Sequence, residues 1–423
     1  MRRMAQGLLL ALIVALTLAP AAAQDEVPVI VSPALEADMQ NLEQITERLR
    51  ALETLDPVDR RFPSRADVIV YLQSLYDEDM SADDLARSTL FYTALGLLDA
   101  DVDLRAVYLS LLSSQVGGFY DTDTKSMNVI PLNNEAIGAS LTLTEQIVYV
   151  HEYVHALQDQ HFGLDALIDS EESADHPDRS LAALSLIEGD ASAIMNLYLQ
   201  RVSMQNPMAA LQLLTQGLQA GNLFLPPDVP SILVNELLFP YEAGMTFVLA
   251  VYGEGGWDAL NAAYANLPQT SEQIIHPDKY LSGEGAAGVM ARDTGALLGE
   301  GWSPVWQTAL GEFYLREHLK TELPTRRSAT AAAGWGGDSF QLHRHDDSGA
   351  AAWTLDLVWD SADDAREFAE AYAALGEARY GTPAQDGCWG DDDGALCLRA
   401  DANGSQVSAA PTLDLARRLM NGA

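Results

Sequence analysis

His151 and His155 stand four residues apart, with Glu152 beside the first, in the stretch His151-Glu152-Tyr153-Val154-His155. On an α-helix a spacing of four turns through about 40°, so both imidazoles leave one face and can grip a single ion. Glu152 lies next to them, near enough to hold a metal-bound water without ligating the metal. Zinc lowers the pKa of such a water to roughly 7, and a neighbouring carboxylate can take its proton. Residue types and spacing therefore predict metal-assisted hydrolysis, most often of a peptide bond.

The flanks predict the helix that this chemistry needs. Thr142 and Glu145 form a T-x-x-E capping box, and Leu143, Ile147, Val148, Val150, Val154 and Leu157 supply the apolar positions of a buried helix ending near Gly163. Upstream, 116–121 and 126–130 read as two short strands around the turn Thr122-Asp123-Thr124-Lys125. An exposed edge strand there could pair with an extended substrate backbone; a hairpin that merely packs is the alternative.

Two histidines leave zinc short of a third protein ligand. Glu188 is the first choice: it sits among Leu184, Leu186, Ile187, Ala191 and Ile194 on a second amphipathic helix, about 181–201, and Gly189 beside it permits close helix approach. The rival is His161. His151 to His161 follow the metzincin spacing H-E-x-x-H-x-x-G-x-x-H, except that Gln158 stands where the glycine makes the chain turn. If the helix continues through Gln158, His161 lies about 240° around and roughly 9 Å along the axis from His155, out of reach. Asp159 and Asp190 are candidates to orient a ligand from behind. Tyr241 and His276 are candidate hydrogen-bond donors to a developing oxyanion. His343 and His345 form H-x-H on a predicted strand, a pair able to bind metal but read first as two incidentally exposed histidines.

Composition sets the context. Arg2 and Arg3 precede an apolar run, Leu8 to Leu18, and the small-residue site Ala21-Ala22-Ala23, which reads as a secretory signal cleaved before Gln24. An uncleaved signal would instead anchor the chain in a membrane. No later segment reads as a membrane span. The formal charge is −37, and removal of the two signal arginines leaves 22 − 61 = −39. With only three lysines, this excludes nucleic acid as a partner, since phosphate contacts need Lys and Arg. Cys388 and Cys397 flank a polar turn and predict one disulfide across a hairpin, consistent with an extracytoplasmic protein.

The chain divides in this reading into a signal (1–23), an N-terminal helical lead (24–62), a helical domain (63–325) and a small α+β unit (326–423) that begins where the composition shifts to Ala and Gly. The fold class is mainly α. Oligomeric state is not legible in the residues.

Taken together, the motifs resemble a family of secreted bacterial metallopeptidase-like proteins related to the gluzincin class. The likeness rests on G-F-Y-D (Gly118–Asp121), H-E-Y-V-H-A-L-Q-D-Q-H-F (His151–Phe162), E-G-D-A (Glu188–Ala191), F-P-Y-E-A-G (Phe239–Gly244), S-E-Q-I-I-H-P-D-K-Y (Ser271–Tyr280) and G-W-G-G-D (Gly334–Asp338). It implies Zn2+ on His151, His155 and Glu188, with Glu152 as general base and a peptide or protein as substrate. Gluzincins often carry an acid four residues after the glutamate ligand; here that position is Ser192, and the nearby acid is Asp190. The contrasting expectation is a non-catalytic extracytoplasmic binding or structural protein that keeps the metal helix.

Overall fold

A computed structural model of the chain describes residues 31–422, apart from 116, 132–136, 169–175, 209–210, 212–228, 382–385 and 403. The predicted signal and its cleavage site lie outside the described residues. Helix outweighs strand, 59% to 16%, so the fold is mainly α, with two small sheets.

The chain forms two compact units. Among the described residues, the first draws on those within 31–81, 103–168 and 183–267, the second on those within 82–102, 176–182 and 268–422. In chain order the elements are α1 (Pro33–Arg50), β1 (Asp59–Arg61), α2 (Arg65–Asp79), α3 (Ala82–Ala94), α4 (Leu104–Gln115), β2 (Gly118–Asp121), β3 (Ser126–Val129), α5 (Leu143–Phe162), α6 (Leu164–Ile168), α7 (Pro177–Gln205) and α8 (Ser231–Ala265). There follow α9 (Ser271–Ile275), α10 (Pro277–Ser282), α11 (Gly295–Leu298), β4 (Trp302–Thr308), α12 (Gly311–Lys320), α13 (Thr325–Ala332), β5 (Trp335–His345), β6 (Ala351–Trp359), α14 (Ala362–Tyr380), β7 (Cys388–Gly390), β8 (Ala395–Ala400), β9 (Gly404–Ala410) and α15 (Leu413–Asn421).

The first unit is built around α5. Thr142 caps it: the Glu145 N–H donates to the Thr142 hydroxyl, and the Thr142 N–H donates to the Glu145 carboxylate, so both halves of the capping box are formed. The helix then runs unbroken through Gln158 to Gly163, whose φ of 69° suits a residue without a Cβ. One face of α5 carries Val150, Val154 and Leu157 into a core shared with Leu35, Met39 and Leu42 of α1. The predicted hairpin is present, with Gly118 opposite Val129 and Asp121 opposite Ser126. A third strand, β1, extends it by pairing parallel to β3, in the sheet order β1-β3-β2. Sequence reading missed β1, because Asp59-Arg60-Arg61 is short, polar and without alternation.

α7 and α8 close over α5. Long and apolar, α8 passes the length and composition test for a membrane span, which corrects the expectation that no later segment does. Its apolar residues Ile232, Leu233, Phe247, Val248 and Val251 are buried in the protein. Its axis also breaks at Gly255 and Gly256, where the φ of Gly256 is 66°.

The second unit holds a six-stranded antiparallel sheet in the order β4-β5-β6-β9-β8-β7. Its boundary differs from the expected one at residue 326. Composition changes there, but β4 pairs with β5 and α9 and α12 pack together, so the chain from Pro268 onward belongs to this unit. Cys388 lies directly opposite Cys397 and the two form a disulfide, as the spacing predicts.

Candidate metal centre

Three donor atoms converge where α5 faces α7. His151 Nε2 lies 3.0 Å from His155 Nε2 and 3.1 Å from Glu188 Oε2, and His155 Nε2 lies 3.5 Å from the same oxygen. This is the one group of three such side chains, close enough to share an ion, among the described residues. A tetrahedral zinc site with bonds near 2.0–2.1 Å has ligand-to-ligand edges of roughly 3.3 Å, so the spacing fits. The chemistry fits as well. Three lone pairs aimed at one point repel unless a proton or a cation lies between them, and Glu188 Oε1 and His151 Nδ1 have no hydrogen-bond partner.

Burial sharpens the requirement: His151 and Glu188 are 0% exposed, His155 1% and Glu152 2%. Burial lowers His151. It would lower His155 too, but the Glu188 carboxylate outweighs it and holds that imidazole up at about 9. Burial would raise Glu188, yet the two histidines keep it below the usual carboxylate range. The Glu188 carboxylate is thus a buried negative charge facing two imidazoles, the charge that a dication held between them would neutralise.

Glu152 is placed beside this trio by both of its neighbours. Burial pushes it up to about 8; the His155 charge and the Tyr120 N–H oppose that rise, and Glu188 adds to it. One carboxylate oxygen, Oε2, accepts the Tyr120 N–H at 3.0 Å, while Oε1 has no partner. A small crevice reaches Glu152 past Gly118, Asn128, Val148 and Glu145. A Cβ on Gly118 would stand 2.9 Å from Val148 Cγ1, so only glycine lets β2 lie this close to α5. β2 is an edge strand, but it is not exposed: Gly118, Phe119 and Tyr120 are buried, and the Tyr120 N–H is already committed to Glu152. This corrects the picture of an open edge awaiting a substrate strand.

Tyr241 on α8 joins the group, with its ring 6.0 Å from that of His151. Burial, then the Glu188 and Glu152 charges and a hydrogen bond to Glu188, hold its hydroxyl protonated far above the usual phenol range, so it keeps a hydrogen to donate. It is brought there by a contact of two glycines. A Cβ on Gly189 would stand 2.2 Å from the Gly244 carbonyl carbon, and one on Gly244 would stand 2.2 Å from the Ser185 carbonyl oxygen.

Other candidates are elsewhere. Because α5 continues past Gln158, His161 turns away and its Nε2 lies 2.8 Å from the Glu53 carbonyl oxygen. Asp159 does not orient an imidazole; it accepts from the Tyr120 hydroxyl at 2.9 Å, the Lys125 ammonium at 2.8 Å and the Leu164 N–H at 3.1 Å. The residue behind His155 is Gln158, whose Oε1 lies 2.8 Å from Nδ1. Sequence reading missed it, although a polar side chain three residues after a ligand on a buried helix was an available signal. Asp190 is buried beneath Gln158 and is ion-paired to Arg50. His276 belongs to the second unit, with Nε2 3.2 Å from Glu312 Oε1. His343 lies 3.3 Å from the Thr294 hydroxyl and His345 packs edge-on against Trp302, each in its own surroundings.

Fold and site together define a mainly α protein with a buried candidate metal centre of two histidines and one glutamate. Residues 304–420 match a domain of unknown function (DUF8575). No curated protein and no solved structure matches the chain. The matched stretch runs from β4 to α15 and contains none of the converging side chains.

Proposed function

We propose that the protein is a secreted zinc-dependent hydrolase of peptide bonds, working at His151, His155, Glu188 and Glu152. The observation that carries this reading is the convergence of three ligand atoms beside a glutamate whose Oε1 has no partner. A bound zinc ion would supply a Lewis acid and a water of lowered pKa. Glu152 takes the proton of the attacking water and returns it to the departing amine nitrogen as the C–N bond breaks. The Tyr241 hydroxyl donates to the carbonyl oxygen as negative charge collects there.

The test is Glu152→Gln in the full chain, assayed on an unstructured protein such as casein beside the wild type. Expected is stoichiometric zinc in both and hydrolysis lost at least about 100-fold in the variant. Equal turnover would overturn the assignment. Export is tested separately: the N-terminus of protein recovered from the medium should be Gln24.

Complete burial of the ligands favours a second reading, in which the metal clamps α5 to α7 without catalysis. In that case chelation lowers the melting temperature, and neither the wild type nor Glu152→Gln cleaves any substrate.

A further inference from the structure

We propose that Gln158 is a positioning residue that commits His155 to binding the ion through Nε2, and that Asp190, Tyr264 and Arg50 hold Gln158 in the orientation this needs. The inference rests on the metal-centre reading above and concerns how the site is preset before any ion arrives.

Gln158 is fully buried, so its amide has no water to fall back on. Its Nε2 lies 3.0 Å from the Ile187 carbonyl oxygen, 3.2 Å from Asp190 Oδ2 and 2.9 Å from the Tyr264 hydroxyl. A carbonyl and a carboxylate can only accept, and Tyr264 gives its own proton to Asp190 Oδ2 at 2.7 Å. Only the NH2 end of the amide, with two hydrogens shared among them, suits these three acceptors; a flipped amide would set oxygen against oxygen. The amide oxygen must therefore face His155 Nδ1 at 2.8 Å, and that nitrogen must carry the hydrogen. The Nε2 lone pair is then left pointing at His151 and Glu188.

The arrangement is anchored from the N-terminal helix. Arg50 ends α1 fully buried, and its Nε donates to both Asp190 oxygens, at 2.8 and 2.9 Å. It is held in turn by Asn261 Oδ1 at 2.8 Å and by the Trp257 ring at 4.9 Å, both just beyond the glycine break of α8. With Asp190 ion-paired to Arg50 and receiving the Tyr264 hydroxyl, Gln158 has one orientation. Among the described residues His151 lacks any equivalent, since its Nδ1 has no partner there. The two histidines therefore differ in preorganisation, and His155 is the preset ligand.

Zinc affinity of the full chain, measured by competition with a chromophoric chelator, tests this alongside the melting temperature of the metal-free protein. Gln158→Met keeps the volume and removes both ends of the amide; affinity should fall 10–100-fold, the range for losing a partner behind a ligating histidine. Tyr264→Phe keeps the ring stacked on Phe162 and removes the hydroxyl that meets both the NH2 end and Asp190, so it should lower affinity several-fold, and it carries the test should Gln158→Met fail to fold. Unchanged affinity with a lower metal-free melting temperature would overturn the inference, leaving Gln158 as a tie between helices. A wild-type chain that binds no zinc would overturn the metal-centre reading beneath it instead.

Discussion

Gly189 and Gly244 meet backbone to backbone where α7 crosses α8, so closely that a Cβ on the first would stand 2.2 Å from the carbonyl carbon of the second. Each glycine lies within three residues of a side chain at the candidate centre, Glu188 on one helix and Tyr241 on the other. The crossing sets how deeply both reach.

The first prediction follows from that contact. Gly189→Ala forces a methyl group into backbone that has no side-chain freedom to yield, so the helices must separate. Stability should fall by more than about 2 kcal/mol in urea titrations, the upper part of the range for overpacking, and zinc should be lost together with it. A stable variant with full zinc would mean that the helices can slide apart without disturbing Glu188.

Ligand identity has its own measurement. After dialysis, elemental analysis should find near-stoichiometric zinc in wild type and in His161→Ala, and little in Glu188→Ala. Removing Glu188 takes away the one carboxylate that, among the described residues, shares a metal-sized group with both Nε2 atoms, whereas His161 is turned toward the Glu53 carbonyl. The reverse pattern would transfer the third-ligand role to His161.

The second unit should weaken as pH rises from about 4 to 7. Burial raises Asp338 to about 6 although the Leu310 and Gly311 N–H groups and the Trp335 indole oppose it, and burial raises Glu272 to about 7 despite Lys279. A carboxyl with a raised folded-state pKa contributes stability that is complete below its unfolded value near 4 and is lost as pH climbs through the folded value. Thermal melts between pH 4 and 8 should show this slope, and Asp338→Asn should flatten its lower part. An identical slope in the variant would exclude Asp338 as a source.

Reduction provides a further check on the same unit. The Cys388–Cys397 bridge closes a short loop, nine residues in separation, for which loss of unfolded-chain entropy corresponds to about 2–3 kcal/mol. Paired Cys→Ser substitution should lower the urea midpoint accordingly, while zinc content stays unchanged, since the ligands lie in the other unit. Loss of zinc in that variant would contradict this expectation.

Much of the centre was legible because it is local. Four residues in a helix of 3.6 per turn must put His151 and His155 on one face, and Thr142 with Glu145 must start a helix wherever the rest of the chain lies. The β2–β3 hairpin and the disulfide hairpin were readable for the same reason: each is specified by neighbours a few residues away. Folding together was needed for the rest. Glu188 and His161 were rival ligands until α5 was seen to continue past Gln158. The unit boundary moved because β4 pairs with β5, a partnership that composition near Pro324 does not reveal. Gln158 and Arg50 looked like an ordinary helix glutamine and an ordinary helix-terminal arginine. Their roles depend on Asp190, 32 and 140 residues away, and on Tyr264, 106 residues from Gln158. A buried hydrogen bond is a property of the place where distant segments meet, and spacing along one helix carries no information about what will be waiting there.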